Sequence, residues 1–340
     1  MRVDDFDFEL PQELIAQTPA PTRRQSRLLT VRRSDGTIGH GDFSALLEEM
    51  TAGDLLVLNS TRVRHARLLG TRPSGAPAEV LLIHPGADGT WVAMGKPGHA
   101  LRPGKRIILG DGIEIETVEV LDGPNRLVRF VGGTAEAAMA QFGRLPLPPY
   151  IAREPDATDE DRYQTVFADR EGSVAAPTAG LHFDWPLLSA LEAAGIRVEY
   201  LDLEVGPGTF RPVEVEDPRE HPMHPEKFRI PERLAAAVGD TRAAGKAVWA
   251  VGTTVVRSLE AAADEQGAIR SGEQETNLLI LPGYRFKTVD RLITNFHLPR
   301  STLFMLVSAF GGSELVLRAY QTAIAHRYRF YSYGDAMLIG

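Results

Sequence analysis

A chain of 340 residues is long enough for two hydrophobic cores, and its 43% hydrophobic and 24% charged content is that of an ordinary globular protein, which excludes a disordered one. Cysteine is absent, so disulfides, thiolate nucleophiles, iron–sulfur clusters and thiolate zinc sites are excluded, and any chemistry uses oxygen and nitrogen groups. The net charge of −8 disfavours a nucleic-acid partner for the chain as a whole, but the charges are segregated along it.

The N-terminus, Met1-Arg2-Val3-Asp4-Asp5-Phe6, lacks the apolar segment of a secretory signal, and no apolar run is long enough to span a bilayer. A cytoplasmic protein with no membrane contact is expected. Asp54-Leu55-Leu56-Val57-Leu58 is a short apolar run ending at Asn59-Ser60, the pattern of a buried strand delivering a turn. From about His65 to Val131 the chain is a series of short runs, among them 79–83, 91–94, 106–109 and 127–131, punctuated by Gly, Pro and Asp. This texture predicts a small all-β sheet or barrel. The stretch from Arg62 to Arg106 holds eight Lys and Arg (Arg62, Arg64, Arg67, Arg72, Lys96, Arg102, Lys105, Arg106) against Glu79 and Asp88, a net of +6. By contrast, Glu154 to Val174 carries seven acids against Arg162 and Arg170. Arginines that merely solvate strand faces and a basic strip for a polyanion both fit this pattern.

Leu145-Pro146-Leu147-Pro148-Pro149-Tyr150 reads as a stiff extended connector, because each proline fixes its own φ and restrains the residue before it. A domain boundary is expected there. Beyond it helices over 187–194, 232–244 and 254–265 alternate with strands over 196–203 and 246–251, which predicts an α/β sheet covered by helices. The first sixty residues have no core of their own in this pattern. The expected organisation is therefore an α/β domain made of residues 1–62 and 152–340, interrupted by an inserted small all-β barrel domain at 63–151.

Several turns carry chemistry-bearing residues. Val251-Gly252-Thr253-Thr254 runs from a strand into a helix, where free N–H groups and hydroxyls hold a carboxylate or phosphate; a plain N-cap is the alternative. It lacks the Gly-Lys-Ser/Thr ending of a P-loop. Ala175 to Phe183 gathers small residues around Thr178, Gly180 and His182, an imidazole suited either to proton transfer or to a structural hydrogen bond. Glu204-Val205-Gly206-Pro207-Gly208-Thr209-Phe210 again follows a strand with glycines and a threonine, and a simple turn fits it too. His221, His224 and Glu226 invite a metal reading, but Pro222 and Pro225 break the helix on which an H-E-x-x-H zinc site depends, and no metal is expected. Asn295-Phe296-His297-Leu298-Pro299-Arg300 places an amide, an imidazole and a cation at a strand end, the usual location of ligand groups in open α/β sheets. Arg327 to Asp335 interleaves aromatics with arginines, so stacking on RNA bases and packing in a core both fit.

Taken together, these stretches closely resemble the S-adenosylmethionine:tRNA ribosyltransferase-isomerases of queuosine biosynthesis. Blocks at 56–63, 175–183, 205–213, 221–226, 251–260 and 282–310 occur in that family's order, and the ending 328–339 fits as well, so the resemblance spans nearly the whole chain. Ser60, Glu204 and Asn277 stand where the family commonly has Asp, His and Asp, and these positions are left out of the expected site.

The resemblance implies transfer of the ribosyl part of S-adenosylmethionine onto the aminomethyl nitrogen of 7-aminomethyl-7-deazaguanine at the tRNA wobble position. Rearrangement gives epoxyqueuosine, with adenine and methionine released. S-adenosylmethionine is then a consumed co-substrate, no cofactor is required, and the partner is the anticodon arm of tRNA; a monomer is expected. The sulfonium acidifies the adjacent C5′ hydrogens, so a base removes one without a metal, and adenine departure benefits from a proton donor. The implied fold is a larger α/β domain with an inserted β-barrel, with catalysis between them. On this resemblance His182 and His297 are the acid/base candidates, since imidazole titrates nearest neutral pH. Thr178, Thr253, Thr254 and Asn295 are expected to orient ribose, adenine or the methionyl carboxylate, and Arg62, Arg257 and Arg300 to meet phosphate or carboxylate. Asn59, Gly180, Gly206, Gly208, Thr209, Gly252 and Asp335 complete the expected substrate-binding set. A non-catalytic tRNA-binding protein would explain the basic strip but not the Thr/His/Asn turns, and a metal hydrolase would explain only His221, His224 and Glu226.

Overall fold

The computed structural model describes residues 1–206 and 213–340. A nine-stranded mixed sheet forms its centre, and the middle of that sheet is four adjacent parallel strands in the order Arg197–Leu203, Leu55–Asn59, Val248–Val251 and Arg291–Asn295. The apolar run at 55–58 does not alternate because both faces of its strand are covered. Leu55 and Val57 enter a core shared with the helices Glu232–Ala243, Thr253–Ala262, Thr302–Gly311 and Ser313–Ala325. Leu56 and Leu58 enter the opposite core, under the helix Trp185–Ala193. Asp54 fixes the start of the strand. Its buried carboxylate accepts from Thr51 N, Ala247 N and Trp249 Nε1, each at 3.0 Å.

The first sixty residues contribute strands to this same sheet, with Leu28 opposite Ala336 and Arg27–Val31 also paired with Ile38–Asp42. Asp335 holds that junction. Buried, it accepts from Arg27 N and Arg329 N and ion-pairs with both of their guanidinium groups. Around it Tyr328, Phe330, Tyr331 and Tyr333 are all buried, and Phe330 packs at 5.0 Å on Phe296. The burial of these rings favours core packing over RNA stacking for this segment.

A second, seven-stranded antiparallel sheet runs in the order Gly143–Arg144, Arg67–Thr71, Pro77–Pro85, Trp91–Lys96, Asn125–Val131, Ile113–Val120, Arg106–Gly110. Arg67–Thr71 also meets Arg106–Gly110, with Thr71 opposite Ile108. Gly70 permits that approach, since a Cβ there would lie 2.6 Å from the Ile108 carbonyl oxygen. Alternate residues Ala78, Val80 and Leu82 turn inward to a core shared with Leu68, Ala93, Ile107, Ile115 and Val128. The helix Ala135–Phe142, capped by Thr134 Oγ1 accepting from Ala137 N, was not expected from the sequence. Among the described residues no single helix is long and apolar enough to cross a membrane.

The two sheets meet where the central strand ends. Asn59 is 2% exposed, and its Oδ1 accepts from Thr61 N and Leu203 N while Nδ2 donates to Leu203 O. Next to it Ser173 Oγ is 2.8 Å from Thr61 Oγ1 and accepts from Val205 N at 2.8 Å. Asn59→Ala strands several buried backbone groups at once, and the expected cost is roughly 3 kcal/mol in urea unfolding. A loss below about 0.5 kcal/mol would show that water replaces the amide.

Candidate active site

Parallel strands end along one edge of a sheet, and there the chain leaves the four central strands as Glu204-Val205-Gly206, Asn59-Ser60, Gly252-Thr253-Thr254 and Phe296-His297. Thr178, Gly252, Thr253, Thr254, Asn295 and His297 from the expected set line one small cavity of about 50 Å³, with Tyr150, Thr294, Ser301, Tyr331 and Ser332. Gly252 has φ +97°, a region that favours glycine, and the turn it makes opens the N-terminus of the helix Thr253–Ala262 onto the cavity.

Val205 and Leu303 border both this cavity and a larger one of about 380 Å³, within the range of small-molecule sites. The larger cavity lies between the two sheets. Ile83, His84, Val92 and Asn125 line it from the seven-stranded sheet, and Gly206, His221, His224, Glu226, Arg257 and Glu275 from the other side. Arg257, one turn into the helix Thr253–Ala262, is 4% exposed and ion-pairs through Nη2 with buried Glu226. Among the described residues its Nε and Nη1 are buried without a hydrogen-bond partner. Orphaned guanidinium donors are costly in a folded protein, which marks this as a place for a ligand acceptor. Among the described residues no three His, Asp or Glu side chains are grouped as metal ligands.

The two histidines differ in placement. His297 borders the small cavity, with Nε2 2.7 Å from Thr294 Oγ1 and its backbone N–H donating to Tyr320 Oη. Burial pushes its pKa down to about 3. His182, at the end of the 3₁₀ turn Thr178–His182, sits behind the cavity, with its ring 5.0 Å from Phe43. Burial pushes it down to about 4, against the opposing pull of Asp335 and the Asn295 amide. His182 Nε2 and Asn295 Oδ1 are both buried without a well-formed hydrogen bond, while Asn295 Nδ2 donates to Tyr331 O at 2.8 Å. Burial disfavours the cationic form of both imidazoles.

Other expected residues lie elsewhere. Asn59 and Asp335 are consumed by the backbone and ion-pair contacts given above. Arg62 donates to Ala168 O at 2.5 Å. Gly180 is a packing glycine, where a Cβ would lie 2.9 Å from Thr165 Cγ2. Arg300 is exposed, with φ +56°, and pairs with Asp4 at 3.5 Å. Gly208 and Thr209 fall outside the described residues, and Gly206 lines the larger cavity. Sequence reasoning missed Tyr150, which stacks on Tyr331 at 4.5 Å and lies 2.6 Å from Ser332 Oγ. The proline-rich connector was the available signal, because a boundary segment runs between the sheets and so reaches a cavity between them.

The depressed histidines couple stability to pH. Their folded values of about 4 and about 3 lie below the ordinary 6.5, so the unfolded chain takes up protons first as pH falls. Stability is complete above about 6.5 and is lost as pH falls towards those folded values, by up to about 1.4 kcal/mol per pH unit for each histidine. His297→Gln should flatten the change in unfolding free energy between pH 7 and pH 5 by one such contribution. A slope unchanged from the parent would mean that His297 is not desolvated.

A model of the queuosine biosynthesis protein family matches residues 3–339. The chain is 51% identical to the S-adenosylmethionine:tRNA ribosyltransferase-isomerase of Symbiobacterium thermophilum and 49% identical to that of Geobacter sulfurreducens, each over 100% of both chains. The crystal structure of the S-adenosylmethionine tRNA ribosyltransferase from Thermotoga maritima, 33% identical, covers 99% of this chain and 100% of its own, with a TM-score of 0.57. With strand-end turns opening on a cavity between two sheets, and relatives matched from end to end, the chain belongs to the queuosine biosynthesis protein family.

Proposed function

We propose that this chain transfers and isomerises the ribosyl group of S-adenosylmethionine onto the 7-aminomethyl-7-deazaguanine base at the tRNA wobble position, giving epoxyqueuosine-tRNA, adenine and methionine. The observation that carries the reading is the pair of adjoining cavities at the strand ends, with a helix N-terminus and an imidazole in one and a buried Arg–Glu pair in the other. The enzyme is read as a cytoplasmic monomer that takes the anticodon arm of tRNA, needs no cofactor and consumes S-adenosylmethionine. The seven-stranded sheet is read as a small barrel inserted at 63–151 into an α/β domain of 1–62 and 152–340. Its support is the extra pairing of Thr71 with Ile108, which joins the second strand of the sheet order to the last.

Both partners arrive with positive charge, a sulfonium and an aminomethyl ammonium, and the ammonium gives up a proton before its nitrogen forms the new N–C bond. The carboxylates Glu204, Glu226 and Glu275 bordering the larger cavity suit both charges and are the acceptors for that proton. Arg257, with its two unpartnered nitrogens, takes the methionyl carboxylate. His297, uncharged and oriented by Thr294, is the base for the C5′ proton. The imidazolium it becomes is destabilised by its buried setting, which favours handing the proton on as adenine departs. His182 acts through Asn295 as a positioning residue.

The direct test is incubation with S-adenosylmethionine and tRNA carrying the aminomethyl precursor, following adenine by chromatography. The parent should release adenine and modify the nucleoside; failure to do so refutes the reaction. His297→Ala should slow adenine release by about 10²-fold or more, with His182→Ala less severe. Near-normal turnover of the His297 variant would remove it as the base.

A further inference from the structure

We propose that one rim of the seven-stranded sheet, gathered around the loop at 97–105, is the surface that grips the tRNA sugar-phosphate backbone; the inference rests on the tRNA-modifying reading above. A chain of net charge −8 repels a polyanion on average, so productive docking needs a local reversal of sign. Four of the eight cations between Arg62 and Arg106 are engaged within the fold. Arg62 donates to Ala168 O, Arg64 lies over the Trp91 ring, Arg67 pairs with Glu79 and Glu154, and Arg106 pairs with Glu114 and Glu116. The other four, Arg72, Lys96, Arg102 and Lys105, make no ion pair among the described residues.

The topology brings these four together. Arg72 follows Arg67–Thr71, Lys96 ends Trp91–Lys96, and Lys105 precedes Arg106–Gly110; in this antiparallel order those ends share one rim, as does Arg126 near the start of Asn125–Val131. Contacts fix the cluster. Arg72 Nη1 is 3.2 Å from His99 Nε2, Arg126 Nε donates to Leu101 O at 3.0 Å, and Lys105 N donates to Arg102 O at 2.9 Å. Lys96, Arg102 and Lys105 are exposed, and Arg72 and Arg126 half-buried. Glu79, opposite Lys96, is already held by Arg67, which leaves Asp122 in the turn before Asn125 and Glu119 opposite Leu127 as the nearby acids.

The rim is also placed correctly for the cavity. Val92, Met94 and Lys96 share one face of their strand, and Val92 borders the larger cavity, so Lys96 lies about 13 Å further along at roughly 3.3 Å per residue. A single-stranded loop with one base turned into the cavity would carry its neighbouring phosphates towards that rim. An acidic protein segment would meet the same cations but has no base to insert, so tRNA is the occupant the geometry favours.

The test uses the full chain with Lys96→Glu, Arg102→Glu and Lys105→Glu combined, beside a charge-keeping control of Lys96→Arg, Arg102→Lys and Lys105→Arg, both checked for parental thermal unfolding. The reversal should raise KM for precursor tRNA at least tenfold near 0.1 M salt, leave KM for S-adenosylmethionine unchanged, and lower the log–log salt dependence of tRNA retention on filters by about two. The control should stay near parental values. Unchanged tRNA KM and salt slope in the reversed variant would overturn the proposal, as would loss of binding to polyglutamate alone with tRNA binding kept. Filter binding is read without turnover, so a parent that binds tRNA through this rim yet releases no adenine would count against the reaction and not against the surface.

Discussion

The side-chain amide of Asn59 settles where the central strand stops, and the geometry of the cavities depends on that point. Its three hydrogen bonds tie the end of Leu55–Asn59 to the end of Arg197–Leu203 and release the chain outward at Thr61. From Thr61–Val63, which pairs with Arg170–Ser173, the backbone passes into the seven-stranded sheet. The same amide therefore aligns two strand ends and aims the chain at the second layer. Buried backbone groups must be paired, and here one side chain satisfies three of them without breaking the parallel order.

Charge within the cavities follows from burial. His182 and His297 are stripped of water, which disfavours their cationic forms, while Arg257 keeps a carboxylate partner and two unfilled donors. Glu204, Glu226 and Glu275 border the larger cavity beside Lys227, and buried Arg257 stands one helical turn beyond Thr253, so the cavity offers groups of both signs to the proposed co-substrate, which carries a cationic centre and an anionic tail.

Much of this was legible in the sequence, for physical reasons that differ by element. The run at 55–58 is apolar at every position because two cores cover it, and the alternation at 78–82 reports a strand with one wet face. The turns holding Thr178, Gly252, Thr253, Thr254, Asn295 and His297 were identifiable because glycine, hydroxyls and imidazole stand where apolar runs stop. What sequence could not show is competition for a side chain. Asn59, Arg62, Arg300 and Asp335 have ligand-like chemistry, yet each is claimed by a partner in the fold, some more than a hundred residues distant. Tyr150 and the cavity face of the second sheet were hidden for the converse reason: apolar and neutral side chains become site residues only when a second layer faces them.

On the proposed function, the cavities at the ends of the four parallel strands hold S-adenosylmethionine. A crystal structure of the complex with a non-reactive analogue, its sulfonium replaced by nitrogen, is the most direct measurement. The expected result is density running from the Gly252–Thr254 turn and His297 into the larger cavity, with the amino-acid carboxylate at Arg257. Density seated instead in the groove bordered by Asp202, Arg229 and Glu273, with both cavities unfilled, would contradict it.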